Sequence, residues 1–594
     1  MAQPDLGWQA GLSLATTLVS LLLLASGRVA ADMVMMGAMT LLLACGVLTP
    51  KEALGGFANE GLMSIAALYV VAAAFQRSGA VSHMSRQLLG QPQHVTGMML
   101  RVMLPTSLLS ALINNTPVVA MLIPAVQDWA RRLQQPASRF LLPLSYASIL
   151  GGTCTLIGTS TNLVINGLLI DYQGEGLDMF DISPVGIPLL LGSTLFIVLT
   201  SRYLLPRRQS PMEQLENARE YCVHMRVQAG GPLCGLSIQQ AGLRQLGYCY
   251  LVDIERDGQL LCAVAPEQRL QSDDYLLFIG TSAAIGELRA IRGLAPADNQ
   301  PNKLDIAQHR RRLVEAVIAP GGSLAGRNVR VSRFRTRYNA VILSLSRNGS
   351  RLTGKIGDIE LRAGDTVLLE TSDDFCRTHG NSRDFLLVHP LQNNLPPAGN
   401  GKSWLASGIL AGMIAANTLG LMGMLQAALM AGGLMLLSGC ISISAARRSV
   451  DLSVLAVIGS SFALGLALTK TGAAGYIASQ LLENVSSPLL ALILIYGMTA
   501  LFTEMITNNA AAVLMFPIAT AVAEQLGVSH MPFVIAIMFA ASASFMTPIG
   551  YQTNLMVYGP GGYRFSDYLR IGLPLSLVVG VISLWLIPLI WPFA

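Results

Sequence analysis

The chain has 594 residues, of which 52% are apolar and only 12% are charged, whereas an average soluble domain carries roughly a quarter charged residues. This composition excludes an ordinary soluble globular protein and indicates a membrane protein. The net charge of +5 does not indicate a nucleic-acid partner, because the basic residues lie beside apolar segments, as at the cytoplasmic ends of membrane helices. The sequence shows no nucleophile–base pair and no zinc-type cysteine spacing that would predict an enzyme.

Apolar segments in the first 208 residues predict five membrane crossings and one re-entrant hairpin. Each apolar run is close to the ~20 residues that a bilayer-spanning helix requires. Basic residues at both outer ends of the hairpin indicate that its two arms enter and leave on the same side, and glycine-rich interruptions predict a broken helix. In chain order, the predicted helices cover 12–26, 33–48 and 62–76, the hairpin 95–113 and 117–133, the broken helix 141–170, and the last crossing 187–205.

Residues 396–594 repeat this order of elements. An odd number of crossings in the first block inverts the second, so its hairpin opens from the opposite side of the membrane. The lack of Lys and Arg between Thr471 and Tyr563 fits an outward-facing segment under the positive-inside rule, which also places the N-terminus outside and the central insert in the cytoplasm. The predicted helices cover 404–419, 421–443 and 452–468, the hairpin 489–522, the broken helix 533–556, and the last crossing 573–592.

The stretch between the two membrane blocks is charged like a soluble protein and contains an internal repeat. Residues 222–292 and 313–376 each alternate β-rich runs with a short helical run, and each has an acidic turn before its final strand. We therefore predict an α+β insert. The predicted domains are the membrane blocks 1–208 and 396–594, with two insert domains at 209–300 and 301–395.

Two polar clusters interrupt the apolar segments at the predicted hairpin tips. Residues 110–124 align with 503–517 without a gap, and residues 155–162 align with 547–554 after a shift of one residue. One such cluster alone is also typical of contacts between membrane helices, but corresponding clusters in two halves of a chain indicate the binding site of a transporter. The matched pairs at the tips are Ser110 with Thr503, Asn114 with Thr507, Asn115 with Asn508, and Thr116 with Asn509.

The chemistry of these clusters favours an anion together with cations. Each tip would present a helix N-terminus, which carries about half a positive charge. No Lys or Arg occurs in either tip or either broken helix, so bound cations must balance a dianion. Hydroxyls, amide oxygens and unwound carbonyls near Gly158 and Gly550 are hard oxygen ligands that suit sodium, and we therefore expect sodium symport. Glu504 is an intramembrane carboxylate, for which an orienting role and proton coupling both stay open.

The pattern Ser-x-x-x-Ser-Asn-Thr at two hairpin tips, followed by broken helices in an inverted repeat, is typical of the divalent anion/sodium symporter family of the ion transporter superfamily. The tips and the broken helices of this chain resemble that family. The resemblance covers both membrane blocks, and it implies a homodimer that works by an elevator motion. It implies two sodium sites, one formed by Ser110, Asn115 and Gly158 and the other by Thr503, Asn508 and Gly550. It implies a substrate site of Asn114, Asn115, Thr116, Thr507, Asn508 and Asn509, to which we add Thr159 and Tyr551.

The tips and the insert also limit the range of substrates that we expect. The chain has Asn-Asn-Thr and Thr-Asn-Asn where dicarboxylate carriers of that family have Ser-Asn-Thr. The insert resembles two copies of the RCK C-terminal domain found on potassium-uptake regulators and gated potassium channels, and the combination resembles the branch linked to sulfate uptake. We therefore expect a sodium–sulfate symporter of the cell (inner) membrane, with cytoplasmic domains that bind a regulatory ligand or partner.

Two alternatives stay open. One is a proton- or sodium-coupled transporter of dicarboxylates or of another oxyanion. The other is a ligand-gated channel, which the insert alone would suggest. A channel of that class needs a filter-like run of the Thr-Val-Gly-Tyr-Gly type, and the sequence contains none.

Overall fold

A computed structural model describes residues 7–593, with gaps at 27–28, 79–94, 134, 209–221, 244–245, 247–248, 257–258, 263–266, 281–287, 289, 297–311, 320–321, 348–349, 353–355, 372–374, 380–381, 383, 391–401, 484 and 486. The chain forms two compact units. The first comprises Met1–Arg207, Pro396–Val557 and Arg564–Ala594, and it is built from helices. The second comprises Arg208–Leu395 with Tyr558–Tyr563, and it contains the β-strands.

The first half of the helical unit follows the predicted order of helices. The predicted hairpin is present as α5 and α6, which are joined by two residues, and the predicted broken helix is present as α7 and α8, which are separated by residues 153–159. The helices are α1 (Trp8–Ser26), α2 (Ala31–Ala44), α3 (Pro50–Gly55), α4 (Glu60–Arg77), α5 (Val95–Leu112), α6 (Asn115–Arg132), α7 (Ser138–Gly152), α8 (Ser160–Gln173) and α9 (Ser183–Leu204).

The second half has helices in a similar order. The insert separates it from the first half, and α10 (Phe334–Tyr338) and α11 (Phe375–His379) belong to that insert. The prediction missed α16, which follows α15 after a turn at Gly472, where φ is +75°. The helices are α12 (Ser403–Thr418), α13 (Met424–Leu437), α14 (Ile443–Ser449), α15 (Leu452–Lys470), α16 (Ala473–Leu482), α17 (Pro488–Thr503), α18 (Asn508–Leu526), α19 (Met531–Ser542), α20 (Gln552–Tyr558) and α21 (Phe565–Ile590).

One buried asparagine holds each broken helix in its interrupted form. Carbonyl groups at the end of a helix have no partner within the helix. The Nδ2 of Asn162 donates to the carbonyls of Thr155 (3.0 Å) and Gly152 (3.4 Å). The Nδ2 of Asn554 donates to the carbonyls that lie seven (3.2 Å) and ten (2.9 Å) positions before it. The same side-chain amide therefore bridges the same gap in both halves.

A glycine lets one long helix touch each break. A Cβ at Gly186 of α9 would collide with the carbonyl oxygen of Thr153 at the first break, and a Cβ at Gly572 of α21 would collide with that of Phe545 at the second. In each half the last helix thus rests directly on the backbone of the unwound segment.

Helices of the two halves pack against one another. The α2 helix packs against α15, and α4 packs against α13. The core between α2 and α15 includes Met35 and Leu42 from α2, Leu464 from α15 and Leu514 from α18, all of which are buried. The two halves are therefore one helical body, and the opposite orientation of the two halves stays a prediction.

The surface of the helical unit suits a lipid environment. Within the described residues, five helical segments are long and apolar enough to cross a bilayer. The α9 and α21 helices pack together, and each exposes a large side chain at every fourth position. These side chains are Ile187, Leu191, Leu195, Leu199 and Tyr203 on α9, and Leu573, Leu577, Val581, Trp585 and Leu589 on α21.

The insert contains two five-stranded antiparallel sheets with the same connectivity. The first sheet has the order β3-β2-β4-β1-β5, and the second, read from its opposite edge, has the order β8-β7-β9-β6-β10. The strands are β1 (Cys222–Val227), β2 (Cys249–Arg256), β3 (Gln259–Cys262), β4 (Tyr275–Gly280), β5 (Leu294–Pro296), β6 (Arg312–Ile318), β7 (Ala340–Arg347), β8 (Ser350–Arg351), β9 (Thr366–Thr371) and β10 (Phe385–Pro390).

The same ion pair secures both sheets. Arg256 at the end of β2 forms a bidentate pair with Asp274, with distances of 2.8 and 2.9 Å, and Arg347 at the end of β7 pairs with Asp365 at 2.7 Å through both nitrogens. Both aspartates are buried, and each also accepts a backbone N–H three residues before it. The insert is therefore a structural duplication, and its assignment to the RCK C-terminal domain stays a prediction.

We predict that Asp365→Asn destabilises the second sheet. The substitution leaves the Arg347 guanidinium without its carboxylate in a mostly buried place, which typically costs about 3–5 kcal/mol. Hydrogen exchange of β6 and β9 in the full chain should then show a lower free energy of local opening. Asp273→Asn is the matched control, because the Arg226–Asp273 pair is about half exposed and such pairs contribute less than about 1 kcal/mol. Equal effects of the two substitutions would contradict the structural role of the buried pair.

We also predict that Gly572→Ala lowers the stability of the helical unit by roughly 1–3 kcal/mol, because the added methyl group overpacks a backbone contact. The measurement is the midpoint of thermal loss of monodisperse protein in detergent. Gly497→Ala on α17 is the control, since nothing lies within 4 Å of the added Cβ. An unchanged midpoint for Gly572→Ala would show that α21 does not need this close approach.

Candidate functional site

The first tip is organised around the side-chain amide of Asn115, the first residue of α6. This side chain is fully buried. Its Nδ2 lies 2.5 Å from Ser110 Oγ and 3.1 Å from the carbonyl oxygens of Ser148 and Gly158, while its Oδ1 accepts from the Tyr551 hydroxyl at 2.5 Å. One amide therefore joins the tip, the first broken helix and a residue of the second half.

The second tip repeats part of this arrangement. The hydroxyl of Thr503, at the end of α17, lies 2.9 Å from Asn508 Oδ1 and 2.6 Å from the carbonyl oxygen of Ala541. Asn508 is the first residue of α18. The pair Thr503–Asn508 thus corresponds to the pair Ser110–Asn115, and both pairs tie the start of a helix to the helix before it.

The two glycines of the predicted sodium sites lie in the unwound segments. Gly158 is in contact with the first tip, since its carbonyl lies beside the Asn115 amide. Gly550 is held by a hydrogen bond of its N–H to the Thr547 hydroxyl (3.0 Å), and a Cβ on it would approach the carboxylate of Glu504. The structure therefore places every residue of the two predicted sodium sites at a tip or a break, and their role in sodium binding stays a prediction.

Each tip also touches the broken helix of the opposite half. The Thr116 hydroxyl donates to Gln552 Oε1 at 3.1 Å. On the other side, the Thr161 hydroxyl donates to Asn509 Oδ1 at 3.0 Å, and Ser160 Oγ lies 3.3 Å from the Asn509 amide. These contacts join residues that lie between 348 and 436 positions apart in the chain. Each tip therefore contacts the broken helix of the other half, and we call this region of the helical unit the polar centre.

The remaining predicted substrate residues have different surroundings. The Thr159 hydroxyl lies 3.2 Å from the Tyr551 hydroxyl. Asn114 is half-buried and lines a cavity together with Ser160 and mostly apolar side chains, many of them from α4. Thr507 precedes α18, is exposed, and its side chain makes no capping hydrogen bond.

Several contacts at the centre were not anticipated from the sequence. Ser145 Oγ lies 2.9 Å from Thr553 Oγ1 and donates to Asn554 Oδ1 at 2.7 Å. The Tyr146 hydroxyl donates to the carbonyl of Phe545 at 2.8 Å. The signal that could have found them is the run of hydroxyl-bearing residues in α7, which is buried along its whole length. These contacts fix the second broken helix against the first.

The electrostatics of the centre come from backbone dipoles rather than from basic side chains. The α6, α8 and α18 helices all begin at it, at Asn115, Ser160 and Asn508, and each N-terminus carries a partial positive charge. Neither tip nor either break contains Lys or Arg, and Glu504 is the single carboxylate in those segments. The arrangement can hold an anion through amides, hydroxyls and helix N-termini, and its oxygen atoms can coordinate cations.

Comparison with known proteins identifies the class to which this architecture belongs. A protein of Chlamydomonas reinhardtii named for the sulfur deprivation response is 36% identical, with 94% of this chain and 97% of that protein covered. Sodium/sulfate cotransporter 2 of the same organism is 26% identical over 97% of this chain and 89% of its own. An uncharacterized transporter of Escherichia coli is 30% identical over 97% and 98%.

Two of these relatives carry transporter names, and the chain is a multi-pass membrane protein related to sodium/sulfate cotransporters rather than an enzyme. The tip motifs resemble the divalent anion/sodium symporters, whereas the family model that matches is the one described as citrate transporter, and it covers residues 21–536. Both lie within the ion transporter superfamily. With most of its length matched, the chain belongs to the citrate transporter family.

Proposed function

We propose that this protein is a sodium-coupled symporter of a divalent inorganic anion, with sulfate as the preferred substrate. The observation that carries the proposal is the polar centre where the tip of each half meets the broken helix of the other. Amides, hydroxyls and three helix N-termini surround it, and no basic side chain of the tips or breaks could balance two negative charges.

The need for cations follows from the charge of the substrate. A dianion among neutral donors in a low-dielectric interior keeps a large part of its desolvation cost, and bound sodium ions lower that cost. Hard oxygen atoms are available at both tips. We assign one sodium ion to Ser110, Asn115 and Gly158, and the other to Thr503, Asn508 and Gly550.

Sulfate is favoured over citrate by the relatives and by the tips. Three relatives in Chlamydomonas reinhardtii carry sodium/sulfate cotransporter names. In addition, the tips have Asn-Asn-Thr and Thr-Asn-Asn in place of the Ser-Asn-Thr of the dicarboxylate carriers that they resemble. Sodium- or proton-coupled transport of a carboxylate is the second candidate, because the matched family model is described as citrate transporter.

The architecture supports an elevator mechanism as part of the proposal. The corresponding contacts in the two halves fit an inverted repeat, in which one half opens to each side of the membrane. We place the chain in the cell (inner) membrane as a homodimer with the insert in the cytoplasm, where its two sheets act as RCK C-terminal-type regulatory domains.

Uptake into proteoliposomes tests the function. Labelled sulfate should accumulate when sodium is outside, and uptake should fall to background when choline replaces sodium, because the dianion then lacks its compensating charges. A competition panel of sulfate, thiosulfate, molybdate, phosphate, succinate and citrate identifies the substrate. Sulfate uptake that is indifferent to choline would refute sodium coupling, and competition by citrate alone would favour the carboxylate candidate.

We predict that Asn115→Ala and Asn508→Ala each abolish sulfate uptake while the protein remains monodisperse. Each substitution removes the amide that links a tip to its surroundings and an oxygen ligand of the assigned sodium site. Asn417→Ala is the control: this asparagine lies at the end of α12, where it donates to the carbonyl of Met422. Transport that persists in either tip variant would show that the site is assigned wrongly.

A further inference from the structure

The segment that joins α20 to α21 belongs to the same compact unit as the insert, although the helices on either side of it lie almost entirely in the helical unit. We call this segment, Tyr558–Tyr563, the glycine loop, because its sequence is Tyr-Gly-Pro-Gly-Gly-Tyr. All of its residues are buried. A connection of Gly and Pro between two helices usually runs over the water-exposed surface, so another part of the chain must cover this one.

The glycine loop is a closed turn with a shape of its own. The N–H of Gly562 donates to the carbonyl of Gly559 at 2.8 Å, and the N–H of Tyr563 donates to the carbonyl of Tyr558 at 3.1 Å. Gly562 has a φ of +64°, which disfavours any residue with a Cβ. A Cβ on Gly561 would collide with the ring of Tyr563. The loop can therefore pass a displacement on to the helices at its ends.

The glycine loop packs on the acidic turn that precedes β9 of the second sheet. A Cβ on Gly559 would overlap with Thr366 Oγ1 and would lie 3.0 Å from Thr366 Cβ and 3.4 Å from the carbonyl oxygen of Gly364. Thr366 is buried, and its hydroxyl has no hydrogen-bond partner among the described residues. Asp365, between the two, is held by Arg347. The loop backbone thus contacts a turn that the buried ion pair fixes in place.

The corresponding places in the two duplicated parts of the chain are exposed. In the first sheet Tyr275 follows the paired Asp274, as Thr366 follows Asp365, and Tyr275 is 42% exposed. In the first half of the helical unit, the connection between α8 and α9 at 174–182 belongs to the helical unit, and most of its residues are exposed. The contact of the glycine loop with the second sheet is therefore not a by-product of either duplication.

The other end of α20 lies at the polar centre. Gln552, its first residue, accepts a hydrogen bond from Thr116 of the first tip. Asn554 bridges the second break, and its carbonyl accepts from the Tyr568 hydroxyl of α21 at 2.7 Å. The α20 helix has 7 residues, or roughly 10 Å at 1.5 Å per residue. Two turns of helix thus separate the glycine loop from the residue that contacts the first tip.

We propose that the glycine loop couples the insert to transport, because its contact with the turn at 364–366 sets the position of α20 at the polar centre. This regulation acts on the proposed transport site, so it rests on the proposed function. A change in the second sheet that displaces the turn also displaces the loop and α20. Since the contact leaves no space for a side chain at Gly559, a single methyl group is enough to disturb it.

Gly559→Ala in the full-length protein tests this coupling. Gly559 does not have a positive φ, so the alanine meets only the crowding by Thr366. The methyl group should accelerate amide hydrogen exchange at 555–558 of α20 by about tenfold, as expected for an overpacked contact. Sodium-dependent uptake of sulfate should fall at least about threefold for the same reason. Thr366→Gly in the same chain removes the colliding atoms and should restore most of both, because residues in direct contact act non-additively.

The matched control uses the same position in the two sheets. Thr366→Leu crowds the loop from the side of the sheet and should act like Gly559→Ala, and it decides the question if Gly559→Ala fails to fold. Tyr275→Leu in the first sheet should change neither exchange nor uptake.

Three results would overturn the coupling. They are unchanged exchange of α20 in Gly559→Ala, faster exchange with unchanged uptake, and no recovery when Thr366→Gly is added. Absence of sodium-dependent uptake in the unsubstituted protein would instead overturn the proposed function, whereas the exchange of α20 reports on the contact of the loop independently of transport.

Discussion

The helical unit depends on one constraint: polar groups in apolar surroundings must be satisfied by one another. Two chain breaks inside a mostly apolar body create carbonyls with no helical partner. The structure meets this demand locally through Asn162 and Asn554, and over long range through the amide of Asn115. The Asn115 amide also belongs to the proposed ion site, so under that proposal stability and ligand binding share this residue.

The sequence was informative where the signal is local. Paired helices and helix breaks follow from the length of apolar runs and from Gly and Asn at matched positions, and the structure has them there. The α16 helix was missed because its ten residues are far fewer than the ~20 of a bilayer-spanning helix. The contact between Asn115 and Tyr551 spans 436 residues, and no spacing rule applies over that separation. The groups around Glu504, such as the N–H of Met546, depend on the folded geometry. The sequence could therefore mark the carboxylate but not its surroundings.

The two similar parts of the insert do not share a site as the two halves of the helical unit do. Its two sheets have the same connectivity, and the pairs Arg256–Asp274 and Arg347–Asp365 occupy the same places in them. An aspartate of each acidic turn that marked the repeat in the sequence therefore forms a buried ion pair. In the helical unit the repeated polar residues have partners in the other half instead. The insert thus contains two sheets, each with its own ion pair, whereas the matched polar residues of the helical unit share one centre.

The exposed rows on α9 and α21 have a mechanical consequence. Each row spans seventeen residues, with roughly 24 Å between its first and last positions at 1.5 Å per residue, and consists of aliphatic and aromatic side chains. Such a flank meets hydrocarbon equally well over a range of depths, because no charged side chain within the row fixes it at one level. On this flank, the thickness of the hydrocarbon layer rather than a charged anchor would set the depth of the two helices.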